Sequence, residues 1–185
     1  EITPNIISPI AIGTLIGEVS KNHVVRTQDA KPKDAIILTK KIALEGTSII
    51  AREFSKKLKS LGIGNDSIQK AKKFISYPGI SVIKEANIAR DFKYVHSMHD
   101  PTEGGLSTAL IELAIASNTG LMIDAKKIQI APESKQICKV LNINPMGLLS
   151  SGCLIITIPQ KHSSELIKIF ENHNIESYEI GHLTA

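Results

Sequence analysis

The sequence has no tryptophan, three tyrosines and four phenylalanines among its 185 residues. A core must therefore be assembled from Ile, Leu, Val and Ala, and few rings are present to stack on nucleic-acid bases. Cysteine is scarce as well. Cys138 and Cys153 stand far apart, with no CxxC partner and no histidine at ligand spacing, which excludes a disulfide scaffold and a zinc ribbon. Each lies in an apolar run and reads as a buried free thiol of a reducing compartment. Only Arg26, Arg52 and Arg90 are arginines, so the net charge of +4 rests on lysines scattered along helix faces. That pattern describes a solvated surface and leaves no nucleic-acid partner to expect. The longest early apolar stretch, Ile6 to Ile16, is interrupted by Ser8, Pro9, Gly13 and Thr14. It is too short to span a bilayer, and no basic leader precedes it, so a cytoplasmic protein without a membrane partner is expected. The GxxxxGK[ST], GxGxxG and GxSxG motifs are all absent, which removes a P-loop, a Rossmann nucleotide site and a nucleophile elbow.

What remains is a single domain of ordinary apolar content, 42%, with 22% charged residues, large enough to bury a core without staples. Strand-type runs are expected at 10–19, 24–27, 35–39, 94–98, 121–123, 154–158 and 177–183, the last at a sheet edge. Helices are expected at 45–61, 66–76, 81–92, from the motif below through Ala116, at 132–141 and at 161–173. In the first of these, Ile49, Ile50, Phe54, Leu58 and Leu61 form the apolar stripe; in the third, Val82, Ile83, Ala86 and Ala89 face inward. Strands and helices alternate without strict βαβ regularity, so the fold class is α/β (α+β), a layered mixed sheet flanked by helices.

The densest signal is the run Asp100-Pro101-Thr102-Glu103-Gly104-Gly105-Leu106. Asp100 reads as a helix cap, Pro101 suits the first helical position and Glu103 completes a capping box. Gly104 and Gly105 leave the first-turn backbone bare, so its unpaired N–H groups lie open to an anion such as phosphate. Two further polar turns repeat the design, Glu45-Gly46-Thr47-Ser48 and Ser150-Ser151-Gly152. Each puts small residues and hydroxyls at the end of an apolar element, where a ligand could approach. His96 and His99, three apart on extended chain, point to opposite faces and have no third ligand, so no metal site is expected.

Taken in order, these segments resemble the C-terminal domain of the aminoimidazole ribonucleotide (AIR) synthase superfamily. Its hydrogenase expression/formation (HypE-type) branch is the most similar. Asp34–Lys40 leading into Leu44-Glu45-Gly46-Thr47-Ser48 is similar to the family's opening strand and EGT helix start. Asp100–Leu106 is similar to its DPTxGGL signature, and Asn144–Gly152 to its late turn. The resemblance covers about residues 10–183. It implies a two-domain, usually dimeric enzyme that uses ATP and Mg²⁺ in a cleft between domains to activate an oxygen on a small-molecule substrate. On that reading residues 1–9 are the linker from an N-terminal domain outside this chain, and 10–185 are the C-terminal domain. Asp100 and Glu103 are the candidate catalytic residues, and Thr102, Gly104, Gly105, Glu45, Gly46 and Thr47 the candidate cofactor-binding residues. A homodimer and a maturation partner protein are implied too. This chain alone is expected to be inactive, because the acidic metal ligands belong to the other domain. The HypE-type branch also continues to a C-terminal cysteine, which this chain lacks after Ile180. The alternatives are a non-catalytic homologue that acts as an assembly module, or a domain of AIR synthase, selenophosphate synthase or thiamine-phosphate kinase type.

Overall fold

A computed structural model describes residues 13–14 and 16–185. The proposed linker, and positions 10–12 and 15 of the first expected strand, lie outside the described residues. Five strands form one antiparallel sheet: β1 (Asp34–Thr39), β2 (Ser97–His99), β3 (Gly120–Ile123), β4 (Ile155–Pro159) and β5 (Ser177–Thr184), in the order β2-β4-β1-β5-β3. One isolated parallel bridge joins Ile42 to Ile130. Among the described residues seven α-helices surround the sheet: α1 (Leu44–Glu53), α2 (Ser55–Ser60), α3 (Asn65–Lys72), α4 (Ile83–Asp91), α5 (Gly105–Ser117), α6 (Pro132–Leu141) and α7 (Ser163–Asn172). This is the layered arrangement of sheet and helices expected from the sequence.

β1 is buried along its whole length, as its unbroken apolar run requires. Its side chains alternate between two layers. Ile36 and Leu38 pack with Leu106, Leu110 and Leu113 of α5, whereas Ile37 joins Ile156 and Ile158 of β4 and Leu166 and Phe170 of α7. A third cluster lies among the helices, where Leu44, Ala51 and Leu58 meet Ile68, Ala71 and Ile137. It binds α1, α2, α3 and α6 into a helical layer that follows directly from the end of β1.

Several local expectations change. β5 is not an edge strand: it pairs with β1 on one side and β3 on the other. Its alternation reflects partly buried positions between neighbours, and the edges are the shorter β2 and β3. The expected strand at 24–27 is extended chain that ends in a tight turn at Thr27–Asp29, where Arg26 donates to both carboxylate oxygens of Asp29 at 2.9 and 2.8 Å. Residues 16–20 are exposed and form no strand. The single helix expected over 45–61 is two. Ser55 donates its hydroxyl to the carbonyl of Ala51 at 2.6 Å, a side-chain bond that competes with the helical ladder at the Phe54 break. The break rotates the apolar stripe, so Ile49, Phe54 and Leu61 are exposed while Ala51 and Leu58 are buried. Ile83, expected inward on α4, is exposed too.

Replacing Phe170 by alanine should cost about 3–5 kcal/mol of stability, because it removes the largest fully buried side chain. Phe54→Ala, at a position 53% exposed, should change it by no more than about 1 kcal/mol. Urea unfolding of both variants checks the contrast.

Candidate functional site

The three polar turns predicted from the sequence come together around one segment, Leu148–Ser150, just before β4. The Ser150 hydroxyl accepts from the Ala43 amide at 2.8 Å and donates to the Leu148 carbonyl at 2.9 Å. The Gly46 amide donates to the Leu149 carbonyl at 3.0 Å, and the Ser150 amide to the Thr102 carbonyl at 3.3 Å. Gly152, with φ of 109°, sits so close to the Gly79 carbonyl that a Cβ would lie 2.9 Å from it. One end of the sheet is thereby walled by turns from four distant parts of the chain.

The motif at 100–105 is built differently from the expected capping box. α5 begins at Gly105, and Gly104 occupies the cap position with φ of 77°; no side chain caps the helix. Pro101 is buried outside the helix, and the carboxylate-bearing Asp100 and Glu103 are exposed. Two consecutive glycines in the left-handed region turn the chain too sharply for a helix to have begun at residue 101. The Thr102 carbonyl accepts from both Gly105 and Ser150, and the Thr108 amide donates to the Gly104 carbonyl. Among the described residues, the amides of Leu106 and Ser107 find no main-chain or side-chain acceptor at the helix start. Leu106 is fully buried, so Ser107, half-buried close to the exposed Gly104, is the one of the two that a ligand can approach.

The small residues divide into two groups. Gly105 is buried, and a Cβ there would lie 2.6 Å from the carbonyl oxygens of both Met146 and Leu148. Gly46 is buried against the Leu148 side chain, where a Cβ would lie 2.5 Å from Cγ. The Thr47 hydroxyl donates to Ser134 in the interior at 2.9 Å. These three let backbone approach backbone and position the wall. Asp100, Glu103 and Gly104 are exposed, and Thr102 and Glu45 are half-buried.

Burial in the inner layer shifts both thiols. Burial pushes the Cys153 thiol up to about 12, against an ordinary 9.0, and Lys40 offsets only part of that effect. Burial also raises the Cys138 thiol. Both thiols are free and buried, as the sequence implied. His96 and His99 diverge: His96 Nδ1 meets Asp34 at 2.8 Å, while His99 Nε2 meets Glu112 at 2.8 Å. Among the described residues no three His, Cys, Asp or Glu side chains stand close enough together to hold a metal.

Sequence reasoning missed two participants. Lys40 and Glu85 form a buried ion pair, Nζ to Oε1, at 2.8 Å, and they line a groove of about 570 Å³ that also includes Leu44 and Tyr77. The groove adjoins the wall where Gly79 meets Gly152. A lysine that ends a strand and a glutamate inside a helix carry no local mark of such pairing; only the burial of Glu85 on an otherwise polar helix would have hinted at it.

The geometry describes an α+β domain with one sheet end walled by small-residue turns. Residues 31–185 match the model of the AIR synthase related protein family, C-terminal domain, and the chain belongs to that family. It is similar to a putative hydrogenase expression/formation protein of Methanocaldococcus jannaschii, 27% identical over 162 residues that cover 85% of this chain and 44% of that protein. It is also similar to the carbamoyl dehydratase HypE of Rhizobium leguminosarum bv. viciae, 24% identical over 92% of this chain and 46% of the relative. A crystal structure of the hydrogenase maturation protein HypE in complex with ATP shares the fold, with a TM-score of 0.66 and 20% identity over 91% of this chain and 48% of that one. The chain thus spans about half the length of the curated relatives it matches.

Gly105→Ala should destabilise the protein by about 1–3 kcal/mol, because a side chain there meets both strain and two carbonyls. Gly147→Ala, where nothing lies within 4 Å of the added carbon, should stay within about 0.5 kcal/mol. Thermal melts distinguish them. The Cys153 thiol keeps its proton in the folded state to about pH 12 but would lose it near its ordinary value when unfolded. Its contribution to stability is therefore complete below pH 9 and declines as pH rises toward 12. Denaturation midpoints of Cys153→Ala should accordingly fall less than those of the native protein across that window.

Proposed function

We propose that this chain is the C-terminal domain of an ATP-dependent, HypE-like enzyme of the AIR synthase type, and that it forms one wall of the cleft where nucleotide and substrate meet. The domain spans residues 10–185, with 1–9 as the linker to its other half. The observation that carries this reading is the start of α5. There the half-buried Ser107 has an amide without an acceptor, close to an exposed glycine, the arrangement that attracts phosphate oxygens to a helix N-terminus. The ATP held by a structure of the same fold, and the hydrogenase-maturation names of two relatives, support it.

Bound ATP supplies a phosphoryl group that activates an oxygen on the substrate. This chain's part is positioning and charge stabilisation. The α5 start and the Thr102 hydroxyl would hold the phosphates, with donors that are stronger where water is excluded. Gly105, Gly46 and Thr47 act by holding the wall in place, since all three are buried. Asp100 and Glu103 present exposed carboxylates at its mouth, with Glu45 half-buried nearby in the chain's second turn. The family resemblance puts the ligands that hold Mg²⁺ mainly in the other half of the protein. A homodimer, a maturation partner protein and a cytoplasmic setting complete the proposal.

Asp100 caps nothing, so its stability role and its catalytic role separate cleanly. In the full-length protein, Asp100→Ala should lower ATP turnover about a hundredfold while the melting temperature holds. Unchanged turnover overturns the assignment. Calorimetry of this 185-residue chain with Mg-ATP should show no tight isotherm, and a tight one would contradict the half-site reading.

A further inference from the structure

Lys40 leaves β1 in a left-handed conformation, with φ of 55°. Its side chain turns into the protein and is 12% exposed; the Glu85 side chain that it meets is 5% exposed. Nζ also donates to the Ser81 carbonyl at 2.8 Å. An ammonium carries three N–H groups, so the described residues use two of them and leave one. A buried ion pair repays its desolvation only when further hydrogen bonds complete it, and here both partners line a groove of about 570 Å³.

The rest of the lining narrows what fits. Two of its carboxylates are already engaged, Glu85 with Lys40 and Glu176 with Lys41 at 2.9 Å. Glu133 stands in the first turn of α6, where the positive helix end favours it. Lys84 gives one N–H to the His173 carbonyl at 2.8 Å and keeps two. The uncommitted capacity is thus mainly of the donor kind, suited to an acceptor or an anion. The body of the groove is apolar, with Leu44 and Phe74 below, and Tyr77 stands at its rim with 82% of its surface exposed. A ring that large in water, beside an apolar floor, offers a flat face to a flat partner.

We propose that this groove binds a small planar monocarboxylate, its carboxylate on the third N–H of Lys40 and its ring against Tyr77 and the apolar floor. The site is separate from the start of α5 and does not depend on the nucleotide reading.

The test uses benzoate as the probe, with benzamide and benzylamine as controls, titrated into the full-length protein and followed by two-dimensional NMR. Benzoate should shift the resonances of Lys40, Tyr77 and Ser81 saturably, benzamide more weakly, and benzylamine not at all. Lys40→Met should weaken benzoate about tenfold, as loss of a charge-assisted hydrogen bond predicts. Tyr77→Ala changes an exposed ring and should leave the fold intact while weakening benzoate about fivefold; it decides the matter should Lys40→Met fail to fold. Asp100→Ala should leave benzoate binding as it was, so failure of the cleft reading and failure of this one are told apart. Equal shifts from all three probes, or benzoate binding indifferent to Tyr77→Ala, would overturn the proposal.

Discussion

The wall of the site depends on one hydroxyl and the short segment that carries it. Ser150 is fully buried and bridges the Ala43 amide to the Leu148 carbonyl, so a left-handed turn after β1 is fastened to the approach to β4. Its own amide, and the carbonyl of Leu149 beside it, reach the turns at Thr102 and Gly46. Removing the hydroxyl would leave a buried amide without an acceptor, which costs more than the bond itself is worth. Three segments far apart in the chain thus share one local solution to their backbone hydrogen bonding.

That arrangement explains why the turns are rich in glycine and small hydroxyl residues without each one touching a ligand. At Gly46 and Gly105 the missing side chain admits neighbouring protein backbone or a leucine. At Gly104 the missing side chain makes way for Thr108, whose hydroxyl an added Cβ would strike, although the glycine itself is exposed. Packing and binding are divided between adjacent residues of one motif. The buried inner glycine makes the geometry, and the exposed outer one begins the helix in a left-handed conformation.

Much of this was legible in the sequence. Continuous or alternating apolar runs marked β1, β4 and β5, and α6 and α7 fell close to their expected limits, because periodicity there reports burial directly. The order of the turn motifs placed the wall. The start of α5 misled because Asp100, Pro101 and Glu103 satisfy every local rule for a helix cap, while tertiary contact of Gly105 with the 146–148 carbonyls sets the backbone instead. Phe54 misled for a related reason: its spacing fits a stripe only if the helix is continuous, and Ser55 interrupts it. The Lys40–Glu85 pair was invisible because its partners are far apart in sequence and each is of a type that usually lies in water.

The place of β5 has a consequence for how the chain comes to be folded. It is the last strand in sequence yet stands inside the sheet, between the first strand and β3. During synthesis β1 has no partner until β4 emerges, β3 has none until β5 arrives, and one flank of β1 stays open until then. The nascent sheet therefore carries an unpaired central edge until the final strand has emerged, and such an edge is a template for the wrong partner. Final closure requires contacts between the two ends of the domain, a demand that slows folding. The same strand that ties the sheet together also sets the interval in which the chain is most exposed to chaperones and to its own copies.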